Sequence, residues 1–464
     1  MGKKRLQIGL GLLLSAPSRG RLGFMENNET WSFETQQIHA GQSPDSVTGS
    51  RSLPIYQTTA YQFRDTQHAA NLFGIAEVGN VYTRINNPTQ DAVEQRLANL
   101  EGGVAALLVA SGMAATAFAI MNVAEAGDHV VASRNVYGGT YNLFNYTLPK
   151  FGLEFTFVED ASDLDAWRRA VRPNTKAFFG EGISNPLGAV LDIEGIGKIA
   201  HAAGVPWIVD NTIATPYITR PIEYGADVVT HSATKFLSGH GSAIVGAIVD
   251  SGNFDYANEP LKFKGFNEPD ESYNGLVYAK TLGVGSEFGA NLAFIFKARL
   301  QLLRDIGASV SPFNAWLLAQ GLETLSLRMR EHVKNAQAVA EWLESHDGVS
   351  HVSYAGLPSS HWYKEAQKYA PKGAGAVMSF ELSGGIAAGK KFVEGLRLFS
   401  HVANIGDVRS LVIHPASTTH SQLNAEEQLK AGITPGMVRL SIGLENVDDI
   451  KADLEAGFAA IKVR

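Results

Sequence analysis

The most informative stretch of the sequence is Asp227-Val228-Val229-Thr230-His231-Ser232-Ala233-Thr234-Lys235, in which a short apolar run leads directly into small polar residues and a lysine. The run is apolar on both faces, which predicts a strand covered on both sides within a mostly parallel sheet. Comparable runs are Ala105–Ala110, His129–Ala132, Glu154–Val158, Lys176–Phe179, Trp207–Val209 and Ala243–Val249. Helical stretches such as Met113–Ala124 and Ile193–Ala202 separate several of these runs. This alternation predicts an α/β fold built on an open sheet.

The composition excludes several classes of protein. The chain has 464 residues, of which 45% are hydrophobic and 18% charged, so it can bury a large core and is not a disordered protein. It has no cysteine, which excludes zinc fingers, iron–sulfur clusters and cysteine nucleophiles. The formal charge of −7 argues against a protein whose main task is to grip nucleic acid.

Four regions are predicted along the chain. Residues 1–25 imitate a signal peptide, since Lys3-Lys4-Arg5 precedes an apolar stretch, but that stretch is too short and too interrupted by glycine for a membrane helix. We interpret them as an extension that is not part of the fold. The other regions are an irregular N-terminal arm at 26–86, a large domain at 87–285 and a smaller α+β domain at 286–464. In the last region we expect a long helix from Pro312 to His346, a strand at Met437–Ile442 and an amphipathic helix after Asn446.

The ends of the predicted strands carry the residues that could do chemistry, because an open α/β sheet presents its ligands there. Lys235 follows a buried strand in a small polar setting, where a lysine can lose its proton and attack a carbonyl. The hydroxyls of Ser232 and Thr234 could hold a phosphate beside it. Taken alone, a lysine at this position is more often an ordinary surface residue.

Asp210 and the junction Ser111-Gly112-Met113 add a charge and a phosphate site. Asp210 ends an apolar strand, where a carboxylate needs a partner, and the nitrogen of a pyridinium ring is a suitable one. A helix N-cap or a magnesium ligand is an equally good reading of Asp210 in isolation. Ser111-Gly112-Met113 begins a predicted helix, whose free N–H groups and positive dipole end favour a phosphate, although many such junctions bind nothing.

Tyr137 and Asn185 complete the set. The ring of Tyr137 could stack on a flat heterocycle, although core packing is the usual role of a tyrosine. Asn185 precedes Pro186 at a turn, where an asparagine can serve the turn alone. Together, a phosphate cradle, a stacking ring, a carboxylate for a ring nitrogen and a lysine for an aldehyde describe a site for pyridoxal 5′-phosphate (PLP).

The chain resembles the Cys/Met-metabolism PLP enzymes of the aspartate-aminotransferase fold type, from about Thr35 to the C-terminus. The motifs that carry the resemblance are Tyr82-Thr83-Arg84-Ile85-Asn86-Asn87-Pro88-Thr89, Ala110-Ser111-Gly112-Met113-Ala114-Ala115, Val209-Asp210-Asn211-Thr212, Ser232-Ala233-Thr234-Lys235 and Val438-Arg439-Leu440-Ser441-Ile442-Gly443. The resemblance implies fold type I of the PLP-dependent transferases, with a large domain on a mostly parallel sheet and a smaller C-terminal α+β domain.

The resemblance also implies a role for each residue of the site. Lys235 would bind PLP covalently, Asp210 would pair with its ring nitrogen, and Tyr137 would stack on the ring and share acid–base work with Lys235. The other residues that would contact the cofactor are Ser111, Gly112, Met113, Ser232 and Thr234 at the phosphate, and Glu181 and Asn185 around the ring. Tyr82 and Arg84 would reach the phosphate in the neighbouring subunit, which makes a dimer the smallest active unit. Arg439 and Asn404 would bind the substrate, with Arg439 gripping the α-carboxylate.

Within the family, the stretches Phe263–Gly275, Ser311–Ala315 and Ala403–Asp407 resemble sulfhydrylases that act on O-acetylhomoserine. Gly139 stands where methionine γ-lyases carry a cysteine, which counts against that activity. The expected reaction converts O-acetyl-L-homoserine and sulfide to L-homocysteine and acetate, within methionine biosynthesis. The alternatives are a cystathionine γ-synthase, or a PLP γ-lyase acting on cystathionine or methionine. A nucleotide-binding protein without catalysis is a third reading, which the lack of a glycine-rich nucleotide motif weakens. We expect a cytoplasmic dimer or tetramer that binds neither metal, nucleic acid nor membrane.

Overall fold

The computed structural model describes residues 31–74, 76–419, 421, 424–430 and 432–462. The predicted extension at 1–25 lies outside the described residues. No helix in the described part of the chain is both long and apolar enough to cross a membrane.

The larger sheet has seven strands in the order β1-β7-β6-β5-β4-β2-β3. The strands are β1 (Ala105–Val109), β2 (His129–Ser133), β3 (Glu154–Val158), β4 (Thr175–Glu181), β5 (Trp207–Asp210), β6 (Val228–Ser232) and β7 (Gly246–Asp250). Strands β2 to β6 pair in parallel, whereas β7 lies antiparallel to both β6 and β1. The prediction of a mostly parallel sheet is therefore confirmed. Strands β1, β2 and β7 are buried along their whole length and β4 at all but one residue, as their apolar runs require.

Helices cover this sheet and build the second region. The α-helices are α1 (Phe33–His39), α2 (Thr66–Phe73), α3 (Pro88–Glu101), α4 (Gly112–Met121), α5 (Gly138–Asn142), α6 (Leu164–Ala170), α7 (Ile193–Ala202), α8 (Thr215–Ile218), α9 (Lys264–Asn267), α10 (Tyr278–Thr281), α11 (Ala293–Lys297), α12 (Arg304–Ile306), α13 (Pro312–Glu323), α14 (Leu325–Glu344), α15 (Tyr363–Tyr369), α16 (Gly385–Gly395), α17 (Ala425–Lys430) and α18 (Val447–Lys462). Turns of π-helix at Leu143–Thr147 and Ala298–Leu303 continue α5 and α11.

The smaller sheet has five strands in the order β10-β11-β12-β9-β8. Its strands are β8 (Val349–Ser353), β9 (Val377–Leu382), β10 (Ser400–His401), β11 (Leu411–Ile413) and β12 (Met437–Ser441). Helices α16 and α18 pack together on it through aromatic rings, and the ring centroids of Phe392 and Phe458 lie 4.9 Å apart. This arrangement is the separate, smaller α+β unit that the sequence predicts.

The prediction of one helix from Pro312 to His346 is wrong, because the helix is interrupted at Thr324 between α13 and α14. In a continuous helix the carbonyl of Gly321 would accept the N–H four residues later. Here the Gly321 carbonyl accepts a hydrogen bond of 2.7 Å from Arg328 Nη2 and one of 3.4 Å from the Thr324 hydroxyl. The same carbonyl accepts the Thr324 N–H, three residues later, at 3.3 Å, so this tighter turn and two side chains replace the α-helical bond.

Candidate active site

The ends of three parallel strands bring the predicted residues together. The register pairs Glu181 at the end of β4 with Asp210 at the end of β5, and Asp210 with Thr230 on β6. The chain then turns sharply, since the N–H of Lys235 bonds the Ser232 carbonyl at 3.1 Å. The site thus lies at the carboxyl edge of the sheet, where open α/β sheets bind ligands.

Lys235 and Asn404 are in contact although 169 residues separate them in sequence. The Lys235 ammonium donates a hydrogen bond to the Asn404 side-chain oxygen, and the Asn404 backbone carbonyl accepts one of 2.8 Å from Arg439 Nη2. Gly406 makes this approach possible. Its φ is +75°, and a Cβ on it would lie 2.6 Å from the Phe236 nitrogen.

The environment of Lys235 lowers its pKa below the ordinary value of 10.5, first through burial and then through the nearby charge of Arg439. Arg439 is itself only 8% exposed. Burial lowers the pKa of Arg439 to about 10. A lysine in this setting gives up its proton more readily than one on the surface, as a general base must.

Arg439 keeps part of its hydrogen-bonding capacity free. Its Nη1 donates to the Asn185 side-chain oxygen at 3.4 Å, and its Nη2 is taken by Asn404. Its Nε is buried and has no hydrogen-bond partner among the described residues. A guanidinium with an unpaired buried donor is suited to bind a carboxylate.

The carboxyl groups of Asp210, which is half-buried, and Glu181, which is buried, form a pair. Burial raises the pKa of Asp210, while burial and then the charge of Asp210 raise the pKa of Glu181. The backbone N–H of Thr212 donates to Asp210 at 2.9 Å. Within the described part of the chain, no lysine or arginine lies within 4 Å of either carboxyl group. Because these shifts favour the protonated carboxyl groups, a cation from outside the chain would stabilise negative charge here.

Glu181 also holds the loop that carries Tyr137. Its carboxylate accepts hydrogen bonds from the Tyr137 N–H and, at 3.2 Å, from the Asn185 N–H. The Tyr137 side chain is 51% exposed, so its ring is free to contact a ligand. A Cβ at Gly139 would lie 2.4 Å from the Tyr137 ring, which means that the ring keeps its position only with glycine there.

The start of α4 lies directly against the end of β6. Ser111 caps the helix, its hydroxyl accepting from the Ala114 N–H at 3.2 Å. A Cβ on Gly112 would lie only 2.5 Å from the Ser232 Cβ, so glycine allows this close approach. The N–H groups of Gly112 and Met113 are the first of the helix and have no acceptor within it.

The two hydroxyls predicted for the phosphate differ in their partners. The Ser232 hydroxyl has no hydrogen-bond partner in the parts of the chain that the structure describes. The Thr234 hydroxyl is already engaged, since it donates to the Val245 carbonyl at 3.2 Å and accepts from the Val245 N–H at 3.0 Å. Thr234 would have to release that carbonyl in order to donate to a phosphate.

Tyr82 and Arg84 are not brought to this site within one chain. The Arg84 guanidinium lies 5.4 Å from the centre of the Tyr82 ring and donates to the Arg304 carbonyl. Tyr82 is 41% exposed. In the described ranges, neither Tyr82 nor Arg84 makes a hydrogen bond or a ring contact with Lys235 or Asp210.

Two residues that sequence reasoning missed support the site. The Thr212 hydroxyl accepts a hydrogen bond of 2.8 Å from the Ser232 N–H, so it links the ends of β5 and β6. The spacing of Asp210 and Thr212, which favours a local turn, was a signal for it. Arg328 is buried on α14 and holds the turn after Lys235. A charged residue on the apolar stripe of a helix was the signal there.

Comparisons with known proteins agree with this geometry. The profile of the family described as Cys/Met metabolism PLP-dependent enzyme matches residues 34–459. The O-acetyl-L-homoserine sulfhydrylase of Leptospira meyeri is 53% identical over 424 residues, which cover 91% of this chain and 95% of that protein.

Two solved structures resemble the whole chain. A Campylobacter jejuni structure described as an O-acetylhomoserine (thiol)-lyase, with N′-pyridoxyl-lysine-5′-monophosphate, has a TM-score of 0.88 and is 43% identical, covering 92% of this chain and all of that one. The cystathionine γ-lyase of Lactobacillus plantarum, complexed with L-serine, has a TM-score of 0.79 and is 35% identical, covering 93% of this chain and all of that one.

Proposed function

Because the chain belongs to the family of Cys/Met metabolism PLP-dependent enzymes, we propose that it converts O-acetyl-L-homoserine and sulfide to L-homocysteine and acetate. It is a PLP-dependent enzyme of fold type I. The observation that carries the proposal is the joint contact of Lys235 and Arg439 with Asn404, in a chain 53% identical to an O-acetyl-L-homoserine sulfhydrylase. The reaction breaks the bond between Cγ and the acetate oxygen, which leaves with the electron pair, and forms a bond between Cγ and sulfur.

The residues of the site fit PLP. The paired carboxyl groups of Asp210 and Glu181 lack a cation, and a protonated ring nitrogen would supply one. The start of α4 fits a phosphate, because within the described ranges the N–H groups of Gly112 and Met113 and the Ser232 hydroxyl have no hydrogen-bond partner. Ser111, Thr234 and the exposed ring of Tyr137 would complete the contacts.

When bound, PLP supplies an aldehyde for the substrate amine and a ring that withdraws electrons from the substrate Cα. We propose that the Lys235 amine takes the Cα proton and returns it, since burial and the charge of Arg439 lower its pKa and ease the loss of its own proton. Asn404 holds that amine in place through its side-chain oxygen. Tyr137 is the second candidate for moving protons, because Glu181 accepts from the N–H groups of both Tyr137 and Asn185 and so holds the loop of Tyr137 at the site.

Arg439 would bind the substrate α-carboxylate. Its free Nε and its two Nη groups form a planar fork that matches a carboxylate. Asn185 and Asn404 hold the fork from two sides, at 3.4 and 2.8 Å. This contact would orient the substrate so that its Cα lies toward Lys235.

The assembly and location of the enzyme are also part of the proposal. The position of Tyr82 and Arg84, away from Lys235 in one chain, supports their reaching a neighbouring subunit's site in a dimer or tetramer. Residues 26–86 would then act as an arm, with 87–285 and 286–464 as the large and small domains. We propose a cytoplasmic homotetramer that acts in methionine biosynthesis.

The competing reading is a cystathionine γ-synthase or a γ-lyase, which would use the same cofactor residues. The deciding experiment compares kcat/KM for O-acetylhomoserine plus sulfide with kcat/KM for cystathionine cleavage on one preparation. We expect the first to exceed the second at least tenfold. The Lys235→Ala variant is the control for catalysis at this site and should be inactive in both assays. A higher kcat/KM for cystathionine would overturn the proposed reaction in favour of the lyase.

A further inference from the structure

We propose that Arg328 is a positioning residue for Lys235, fixing the turn that carries the lysine so that its amine meets Asn404 and the substrate. The inference rests on the proposed role of Lys235. Arg328 is far from the strand ends in sequence and touches neither Lys235 nor Arg439 by a hydrogen bond of its side chain. Its effect would pass through the backbone of the turn.

The guanidinium of Arg328 caps the turn after the lysine. Its Nη1 donates to the Phe236 carbonyl at 2.6 Å, and its Nη2 donates to the Leu237 carbonyl at 3.0 Å. The same Nη2 donates to the Gly321 carbonyl at 2.7 Å. Two successive carbonyls next to the lysine are therefore tied to the bend between α13 and α14.

Arg328 is an unusual choice for a purely structural residue. It is 5% exposed, and no carboxylate lies within 4 Å of it in the described ranges of the chain. Burial lowers its pKa to about 10. A buried charge without a counter-ion is costly, so its hydrogen bonds to carbonyls must compensate for the lost water. Only the rigid fork of a guanidinium reaches several carbonyls at fixed angles, which a lysine cannot do.

Two glycines allow the turn and the bend to approach each other. Gly239 has a φ of +77°, and a Cβ on it would lie 2.2 Å from Arg328 Nη1. A Cβ on Gly321 would lie 2.5 Å from the Ser238 carbonyl oxygen. The turn also bonds inward, since the Gly239 N–H donates to the Lys235 carbonyl at 2.7 Å. The carbonyls of the turn are thus bonded to Arg328 on one side and to the turn's own backbone on the other, which restrains its position.

Loss of this hold should disturb proton transfer more than substrate binding. The backbone of Arg439 is fixed by the pairing of β12 with β9 and β11, whereas the direction of the Lys235 side chain follows directly from the turn. We therefore expect a fall in kcat with little change in KM, and a shift in the pH dependence of kcat. A merely structural role would lower stability and leave the pH profile where it is.

The test compares Arg328→Ala and Arg328→Lys with Arg96→Ala. Arg96 is the matched control, because it is 1% exposed and donates to the Ala40 carbonyl at 3.0 Å. Its Nη1 lies 3.6 Å from Glu323 at the end of α13, but it bonds no carbonyl of the turn after Lys235. For each holoenzyme we would measure kcat, KM, the pH profile of kcat and the midpoint of thermal unfolding. On the cofactor-free proteins we would measure hydrogen exchange of the Ser238 and Gly239 amides. Methylguanidinium would be added to Arg328→Ala to replace the lost group.

We expect Arg328→Ala to lose at least tenfold in kcat with KM within threefold of the wild type, and to exchange both amides faster. Methylguanidinium should restore part of kcat, and Arg96→Ala should keep kcat. The inference is overturned if Arg328→Ala and Arg96→Ala lose kcat in the same proportion. It is also overturned if Arg328→Ala keeps the wild-type pH profile of kcat and the wild-type exchange rates of both amides. If Arg328→Ala does not fold, Arg328→Lys, which keeps the charge, must show the same loss of kcat. Borohydride labelling of the wild type at a residue other than Lys235 would instead show that the proposed function has failed.

Discussion

Replacing Gly112 by alanine tests the proposed phosphate site most directly. The new Cβ would lie 2.5 Å from the Ser232 Cβ and 2.7 Å from the Ser232 Cα. Carbon atoms in ordinary contact are about 3.5–4.0 Å apart, so the start of α4 must move away from β6 by about 1 Å. The free N–H groups of Gly112 and Met113 move with it, away from the Ser232 hydroxyl. The donors that would surround a phosphate are then spread apart.

The size of the effect follows from the crowding. Inserting one extra carbon into a well-packed region costs about 1–3 kcal/mol. The cofactor-free protein can relieve this strain by letting the helix end move outward. A phosphate that draws the N–H groups back toward Ser232 restores the strain, so binding should weaken by roughly 5- to 150-fold. The fold itself should be retained, because only the first turn of α4 is affected.

The measurement is a titration of the cofactor-free variant with PLP, followed by its visible absorbance. Gly138→Ala is the matched control, since Gly138 also begins a helix of the site and a Cβ on it would meet nothing within 4 Å. That variant should bind PLP as the wild type does. Wild-type affinity in Gly112→Ala, or an equal loss in both variants, would refute the argument for the phosphate site.

Three further predictions address the substrate, the assembly and the pH dependence of stability. Arg439→Lys loses the planar guanidinium fork, and a hydrogen bond to a charged group is worth about 1.5–3 kcal/mol. We therefore expect kcat/KM for O-acetylhomoserine to fall roughly 10- to 150-fold while the affinity for PLP stays unchanged. Unaltered kinetics would contradict the proposed role of Arg439. Mixed dimers of the inactive Arg84→Ala and Lys235→Ala chains should recover part of the activity, and no recovery in confirmed hybrids would mean that each site is built from one chain. Burial lowers the pKa of His332 from 6.5 to about 4, so the unfolded chain binds more protons between these values and the wild type loses stability as the pH falls. The destabilisation caused by His332→Gln, measured by urea unfolding, should be smaller at pH 5 than at pH 7 by about 2 kcal/mol, and equal values at both pH values would contradict this.

The sequence predicts the large sheet because its strands are buried on both faces and so appear as uninterrupted apolar runs. The position of Asp210 at a strand end is predictable for the same reason, since the end of each run marks the edge of the sheet. The direction of β7 cannot be predicted in this way, because an apolar run has the same pattern in a parallel and an antiparallel strand. Its antiparallel pairing follows from the short connection after Lys235, which brings the chain straight back.

Contacts between distant segments lie beyond sequence reasoning of this kind. The bond from Lys235 to Asn404 depends on the packing of one domain against the other, and no local pattern near either residue specifies it. The bend at Thr324 arises because a side chain, Arg328, takes a backbone carbonyl, which helix periodicity does not register. The engagement of Thr234 with Val245 likewise depends on a chain reversal that local pattern does not reveal.

The pairing of β1 has a consequence for the folding of the protein during its synthesis on the ribosome. Among the described residues, β1 joins the sheet only through β7, and roughly 140 residues lie between them. A ribosome adding roughly 5–20 residues per second therefore needs about seven to thirty seconds to supply the partner. Ser111 and Gly112 follow β1 directly, and they rest on Ser232 and Gly246, which are made just as late. The nascent chain must therefore carry an apolar, unpaired strand through most of the synthesis of the large sheet. The phosphate site at Gly112 is consequently completed late in synthesis, and until then β1 presents an unpaired apolar edge of the kind that is prone to aggregate.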